Sequence, residues 1–571
     1  MVLGLVALLG GRALGRVVPD KAADAPGLGN APGLQRLAGR LVLVEPDGYY
    51  GRPGRAACGG GKVLELADGS LRELPRAAQP PAFDAAGAPI QLGTTLSAYC
   101  SSTDCSLTGV EVLAAAPAPT AAPVVMRVLV NLISVANCSR FADTTPEAVR
   151  TTYLGSSGDG SSGLASRLAG CSKNFVTVNA TAFTVVPVTI NYDCAGCNAV
   201  QIRTLAEREA SKVVNTSTFT HFVYLLPGAW RDVCNNEGFS IVGGKNVFLF
   251  NSQYSFMRWS TVTQETYHNF WLRHSWLGDL EYGDHSTAMS SGDTCLNGVD
   301  LGRRGWSTPA GGGGAVNSAV LATPGRVWTW SLPALYGTST GNYLRIQPDW
   351  LGATYTTVAT GLNLYVSYRL AKGMDSGLEA AYDGKVIVHS ANATVDNDPA
   401  STAEARVTRV GVVAPGTVLG VASWTSSAYP FNLLVYAGGQ GPGTADGVEV
   451  LRVHLCRYDS SPSECPSVAA AETRWTPDPP SPPSPPSPLP PPSPPPPLRP
   501  PSPFPPSPAP SPRPPSPQPS PRPPSPPAPS PRPPSPQPSP RPPSPQPSPR
   551  PPSPPPPTSK PSSNPKGRRL R

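Results

Sequence analysis

Thr263-Gln-Glu-Thr-Tyr-His-Asn-Phe-Trp-Leu-Arg-His-Ser275, followed by Glu281-Tyr-Gly-Asp-His-Ser-Thr-Ala-Met-Ser-Ser-Gly292, holds three of the six histidines of the chain. The pattern predicts a helix over about residues 261–273. On it, positions 264 and 268 are one turn apart and share a face, so Gln264 and His268 can approach one ion together. Glu265 lies between them and can reach a water on that ion without being a ligand. His274 supplies a third ligand if the helix ends and the chain folds back. An ion held by three protein groups keeps a position for water and lowers its pKa. Glu265 is then placed to take that proton as general base.

Upstream of this stretch, Val124–Val130 reads as a strand, Thr145–Leu154 and Leu164–Cys171 as helices, and 175–190 as β. Ile202, Leu205, Ala206, Ala210 and Val213 form one stripe of an amphipathic helix. His221–Leu226 and Val247–Phe250 read as buried strands, so 124–310 is expected to be one α/β domain. Before it, Leu41–Val44, Lys62–Leu66, Ile90–Leu92 and Val110–Leu113 alternate with Gly- and Pro-rich turns. They predict a small β domain over 39–113, closed by an Ala/Pro linker at 114–123. Behind it, seven short strands from Val327 to Leu455 predict a β-sandwich over 325–460. The expected architecture is multidomain, ending in a polyproline II tail.

That tail, 476–571, holds 52 of the 77 prolines, eleven Lys/Arg and one acid, Asp478. The overall +8 therefore becomes −2 for the body. A body without spare positive charge excludes a basic globular nucleic-acid binder. The prolines fix φ and lack N–H donors, so the tail should be a stiff basic rod, its stretch from Pro479 to Pro557 reaching roughly 240 Å at ~3.1 Å per residue. Its charge suits an acidic wall polysaccharide. No apolar run reaches eighteen residues, which excludes a membrane-spanning helix.

Eleven cysteines, several closely spaced (Cys100/Cys105, Cys194/Cys197, Cys456/Cys465), point to disulfides and a secreted protein. The odd count leaves at least one thiol unpaired or paired with another chain. Sequons at Asn137, Asn179, Asn215 and Asn392 agree with a secreted glycoprotein. The apolar run Val2–Leu9 is a candidate h-region of a leader over 1–25, although no basic residue precedes it.

The frame H-E-x-x-H-x-x-G-x-x-H with a downstream Met-turn is the metzincin pattern, here with Gln first. The flanking His274-Ser275, the Glu281–Met289 block and His221-Phe-Val-Tyr-Leu-Leu-Pro227 resemble the gametolysin family over about 124–456. These are secreted metalloendopeptidases that act on hydroxyproline-rich cell-wall and matrix glycoproteins of volvocine algae, and the Pro-Pro-Ser-Pro tail is itself similar to such wall proteins. The resemblance implies a metzincin-like catalytic domain with metal ligands Gln264, His268 and His274, the base at Glu265 and the Met-turn methionine at Met289. It implies zinc, with copper as the second metal because some members carry Gln first. An amide oxygen is a poorer zinc donor than imidazole.

Two residues depart from the pattern. Trp271 stands where the motif has the glycine that lets the helix stop with φ > 0, and Tyr267 also replaces a glycine. Either the chain turns differently and His274 still arrives, or the third ligand is lost and Glu281 or His285 substitutes. The functional expectation is a secreted metalloendopeptidase. Its N-terminal β domain would be a propeptide, with Cys100 or Cys105 able to block the metal. The alternative is an inactive relative serving as a structural or binding wall glycoprotein.

Overall fold

The structure, a computed structural model, describes residues 35–48, 61–74, 83–88, 90–100, 105–117, 121–358, 360–398, 406–419 and 431–473. All lie in the first of two compact units, Met1–Pro488. The leader, Cys58 and the tail fall outside the described residues.

Five N-terminal strands come first: β1 (Gln35–Gly48), β2 (Gly61–Leu66), β3 (Leu71–Glu73), β4 (Thr95–Cys100) and β5 (Cys105–Ala114). The α/β region follows with β6 (Val124–Met126), β7 (Val128–Val135), α1 (Pro146–Leu154), α2 (Gly163–Cys171), β8 (Val176–Val178), β9 (Thr184–Ile190), α3 (Ala199–Ala210), β10 (His221–Leu226) and α4 (Arg231–Cys234). It continues through β11 (Asn236–Val242), β12 (Asn246–Phe250), α5 (Trp259–His268), β13 (Ser275–Leu277), β14 (Leu280–Glu281) and α6 (Gly298–Arg303).

The order β3-β2-β1-β11-β12-β10-β7-β9 makes one mixed sheet of the N-terminal and α/β strands, with β4 and β5 branching from β1. Strands β9, β7, β10 and β12 run parallel, whereas β11 is antiparallel to β12 and β1 antiparallel to β11. The parallel strands read as near-continuous apolar runs because both faces are covered. On one face Ile202, Ala206 and Ala210 of α3 pack against Val186, Tyr224 and Phe248. On the other, α1, α2 and α5 enclose Val130, Val223 and Leu249. Helix α3 stops at Ala210, so Val213 falls beyond it and is exposed, while Leu205 is only partly covered. Helix α1 starts where Thr145 accepts from the Ala148 N–H with Pro146 at its first position.

The remaining strands are β15 (Val327–Pro333), β16 (Tyr343–Ile346), β17 (Leu362–Arg369), β18 (Lys385–Asn392), β19 (Val407–Val413), β20 (Thr417–Leu419), β21 (Leu433–Gln440) and β22 (Val450–Arg457). Short helices α7 (Ala353–Thr356), α8 (Ala393–Asp396) and α9 (Val468–Thr473) accompany them. They form a six-stranded sheet, β14-β13-β19-β18-β17-β16, and a four-stranded sheet, β15-β22-β21-β20. One apolar core joins the two, with Leu344, Val366 and Val388 from the first and Leu332, Val435 and Val453 from the second. Strand β13 enters the larger sheet by parallel pairing with β19, Ser275 opposite Val407. The segment after His274 is thereby built into the C-terminal sheets.

Five disulfides occur among the described residues: Cys100–Cys105, Cys138–Cys194, Cys171–Cys295, Cys197–Cys234 and Cys456–Cys465. Two of the three short-range pairs form as expected. Cys194 and Cys197 do not pair with each other. Cys194 bonds Cys138 at the end of β7, and Cys197 bonds Cys234 on α4, so the loop before α3 is stapled to two different elements. Since Cys100 and Cys105 bond each other, neither is a free thiol able to block a metal. Among the described residues no helix is long and apolar enough to cross a membrane.

Candidate metal centre

Helix α5, Trp-Ser-Thr-Val-Thr-Gln-Glu-Thr-Tyr-His, is mostly polar, yet every residue from Ser260 to His268 is buried. Burying such groups costs free energy unless each is satisfied. Thr263 and Thr266 bond back to the carbonyls one turn earlier. Tyr267 fills the place of the second missing glycine by sinking into the core, its hydroxyl donating to Leu168 O at 2.7 Å and its ring against Trp306.

The helix ends at His268, five residues earlier than the sequence suggests. The turn expected of a glycine is made by Trp271, at φ +67°. Its N–H reaches His268 O at 3.0 Å and the Leu272 N–H reaches Tyr267 O. A left-handed tryptophan is costly by itself, and its indole supplies the compensation. A Cβ on Gly243 would come within 2.2 Å of the indole, and one on Gly93 within 3.1 Å, so both glycines vacate space for it. Arg40 lies over the ring at 6.0 Å, and the indole packs on the N-terminal core of Leu41, Leu64 and Leu96. Asn269 adds two bonds, to Ile241 O and Asn246 O.

After this turn His274 returns to His268. Their Nε2 atoms are 3.1 Å apart. His268 Nδ1 faces Leu272 O at 2.7 Å, and His274 Nδ1 faces Glu281 Oε1 at 2.8 Å. Facing acceptors, both Nδ1 atoms are assigned as N–H, which directs two Nε2 lone pairs at one another. A cation between the two nitrogens would answer both lone pairs, and the Tyr282 hydroxyl lies 3.4 Å from His274 Nε2. Two nitrogens ~2.0–2.1 Å from a tetrahedral metal would be about 3.3–3.4 Å apart, so the pair fits a divalent ion.

Gln264 is buried one turn before His268, on the same helical face. Glu265 is fully buried and lies over β11: a Cβ on Gly238 would meet its Oε1 at 2.6 Å. Met289 is fully buried in the core with Tyr267, Leu272 and Leu296, and its carbonyl accepts from the Ser275 N–H at 2.7 Å. Glu281 stands behind His274, on the nitrogen turned away from His268. His285 is turned to Glu379 at 2.9 Å and is half-exposed. Of the sequons, Asn137 and Asn215 are exposed, whereas the Asn137 and Asn392 amide nitrogens donate to Tyr192 O and Val358 O. The Asn179 side chain caps its own turn, accepting from Thr181 and Ala182.

Two participants escaped the sequence. Gly238 leaves room for the Glu265 carboxylate, and nothing in Asn-Glu-Gly-Phe-Ser-Ile-Val marks that strand for the purpose. Glu45, from β1, is the third member of a cluster whose ligating atoms, with those of His268 and His274, lie within 4.8 Å of one another.

The family model of gametolysin peptidase M11 matches residues 127–425, which contain Gly238, Gln264, Glu265, His268, His274 and Met289 but not Glu45. The chain belongs to that family. Membership makes it a metallopeptidase at family level and implies a metal. Autolysin of Chlamydomonas reinhardtii is 31% identical over 158 residues, a match covering 23% of this chain and 24% of that protein. The chain thus matches about a quarter of that relative's length. No solved structure matches.

Proposed function

We propose that the gametolysin-family chain is a secreted endopeptidase that cleaves hydroxyproline-rich wall or matrix glycoproteins. Carrying this reading is the pair of imidazoles held Nε2 to Nε2 at 3.1 Å by acceptors behind each ring. His268 and His274 would hold the ion, with Gln264 as third donor from the same helical face. Zinc suits the two imidazoles, and the amide in place of a third widens the choice to copper. When bound, the ion would supply Lewis-acid activation of water and of the scissile carbonyl.

The chain's own groups do the remaining work. Glu265, one residue from Gln264 and buried over Gly238, takes the proton from the attacking water and returns it to the leaving amine. Burial removes competing solvent, and Gly238 lets the carboxylate lie close to β11. Leu272 O and Glu281 keep both rings in the Nδ1–H form. Met289 packs in the core beneath the turn that carries His274 and has no proton role. The tail would retain the enzyme on acidic wall polysaccharide.

Metal analysis paired with a peptide-cleavage assay tests this reading. The expected result is about one zinc or copper per chain, with Glu265→Gln lowering cleavage by roughly 10²–10⁴-fold while metal content stays unchanged. Equal cleavage by wild type and Glu265→Gln would remove hydrolysis from this helix and favour a structural wall glycoprotein.

A further inference from the structure

Helix α6 ends in Gly302-Arg-Arg-Gly-Trp306, and its two arginines are treated differently. Arg303 Nε lies 3.7 Å from Asp396 Oδ1, and Arg345 Nε lies 2.7 Å from Asp396 Oδ2. The Asp396 side chain is fully buried and also accepts from Asn363 and Tyr365. One carboxylate thus answers two guanidiniums. Arg304 has no such partner. It is 7% exposed, its Nη1 donates to Phe270 O at 3.1 Å, and its Nε is buried without a hydrogen bond. Among the described residues it makes no ion pair.

A buried cation that no carboxylate meets is costly. Burial, with Arg303 adding to it, draws the Arg304 guanidinium down to about 10, so it is still charged at neutral pH. Asp300, one turn earlier on α6, forms no ion pair with it, and burial pushes that carboxyl up to about 7. An anion from outside would supply the missing charge.

There is room for one. Arg304 lines a cavity of about 190 Å³ walled by Phe175, Phe270, Trp271 and Trp306. The Trp306 ring already packs against Phe270 at 5.9 Å and Phe175 at 6.4 Å, so the apolar walls are preformed. That space suits a single side chain rather than a whole small molecule. Arg304 also lines a polar cavity of about 430 Å³ with Arg303, Tyr343, Arg345 and Asn397, and with Asp398 at its exposed rim. The ligand these features describe carries a carboxylate next to one apolar group, with a longer polar portion behind. The last residue of a peptide has that form. A uronic acid carries the carboxylate, but its hydroxylated ring would leave the aromatic cavity unfilled.

We propose that Arg304 anchors a second binding site, which takes the free C-terminal carboxylate of a peptide whose last side chain is apolar. The carboxylate pairs with the guanidinium, the side chain enters the aromatic cavity, and the preceding residues lie in the polar one. The site is distinct from the imidazole pair and does not depend on the peptidase reading. Under that reading it would hold one of the two ends that each cleavage creates.

The test uses the full chain, with zinc and after zinc is removed by a chelator, and three fluorescein-labelled peptides. These are Gly-Ser-Gly-Ser-Phe as the free acid, the same peptide amidated, and Gly-Ser-Gly-Ser-Gly as the free acid, each checked intact by mass spectrometry. Anisotropy should show the Phe acid bound roughly tenfold or more tighter than either of the others, with and without zinc. Arg304→Gln should bring the Phe acid and its amide to equal affinity. Ala122→Phe, from an exposed residue that borders the aromatic cavity, leaves Arg304 in place and should bring the Phe acid to the level of the Gly acid. Equal binding of acid and amide by the wild type would overturn the proposal, as would a preference for the acid that survives Arg304→Gln. Loss of the preference with the zinc would also overturn it, placing the carboxylate on the ion. Displacement of the labelled peptide by galacturonate at lower concentration than by N-acetylphenylalanine would overturn it in favour of an acidic-sugar site.

Discussion

Two buried histidine clusters lie on either side of Ser275, and they solve the burial of charge in opposite ways. At the first, His268 and His274 point nitrogen to nitrogen, with Glu45 and Glu281 at their outer edges. At the second, His389 of β18 meets Asp284 at 2.9 Å, Arg409 reaches the other carboxylate oxygen at 3.1 Å, and Ser275 and Ser286 donate to the same group. Burial would raise the Asp284 carboxyl, but His389 and then Ser286 and Arg409 outweigh it and hold it well below the usual carboxylate range. There the Asp284 carboxylate is met on both oxygens, while His389 Nδ1 is buried with no hydrogen-bond partner among the described residues. This cluster fastens the turn bearing Met289 to the C-terminal sheets. At the first cluster the two Nε2 atoms face each other at 3.1 Å, with the Tyr282 hydroxyl 3.4 Å from that of His274, and a divalent ion would fit between the rings. Burial does not separate the two clusters; what differs is that one sets two imidazoles nitrogen to nitrogen and the other sets an imidazole on a carboxylate.

The largest expected effect tests the first cluster. His274→Ala should lower metal affinity by at least 10²-fold and take peptide cleavage with it, read by chelator competition and by assay. Because its partners are otherwise kept, the unfolding midpoint of the metal-free protein should hardly move. A large loss of metal-free stability would make the two clusters alike and break the comparison.

Next comes Asp284→Asn, which leaves His389 and Arg409 facing a neutral amide. Removing one partner of a buried ion pair costs about 3–5 kcal/mol, so the denaturation midpoint should fall clearly while one metal per chain is retained. Metal loss without loss of stability would instead place Asp284 in the first cluster.

The smallest effect concerns a third histidine, His454, whose Nε2 meets Glu472 Oε1 at 3.0 Å and whose Nδ1 meets Thr329 at 2.8 Å. Partial burial pushes the Glu472 carboxyl up, but Arg452, His454 and the Gly439 N–H outweigh it and hold it at about 2. A depressed folded-state pKa gives stability that is present above the unfolded value, near 4.3, and lost as pH falls towards 2. Glu472→Gln should remove that part of the acid limb, worth about 1 kcal/mol for a partly exposed pair. An unchanged stability profile between pH 5 and 2 would show that the pair contributes nothing.

Much of this was legible from local pattern. His221–Leu226, Tyr343–Ile346 and Val407–Val413 are strands at the expected residues, because apolar runs between turn formers leave little choice. The approach of His274 to His268 was legible as spacing plus a required turn. What was not legible depends on distant partners. Residues 269–273 contain no glycine and read as helix, yet Gly93 and Gly243 make room for an indole that ends it at His268. Ile90–Leu92 reads as a strand, but the strand forms at Thr95–Cys100, where pairing with Gln35–Arg40 is available. Strand β11 mixes Asn, Glu, Gly and Ser with apolar residues and carries no period-two signal, since every position is buried. Glu45 lies 228 residues from the arginine it pairs with, and no window of sequence joins them.

The pairing of Leu43 with Val242 also bears on how the molecule comes into being. A ribosome delivers β1 about two hundred residues before the strand that receives it, so the nascent chain must carry an open edge through most of the synthesis of the α/β region. Contacts that distant form late and slowly.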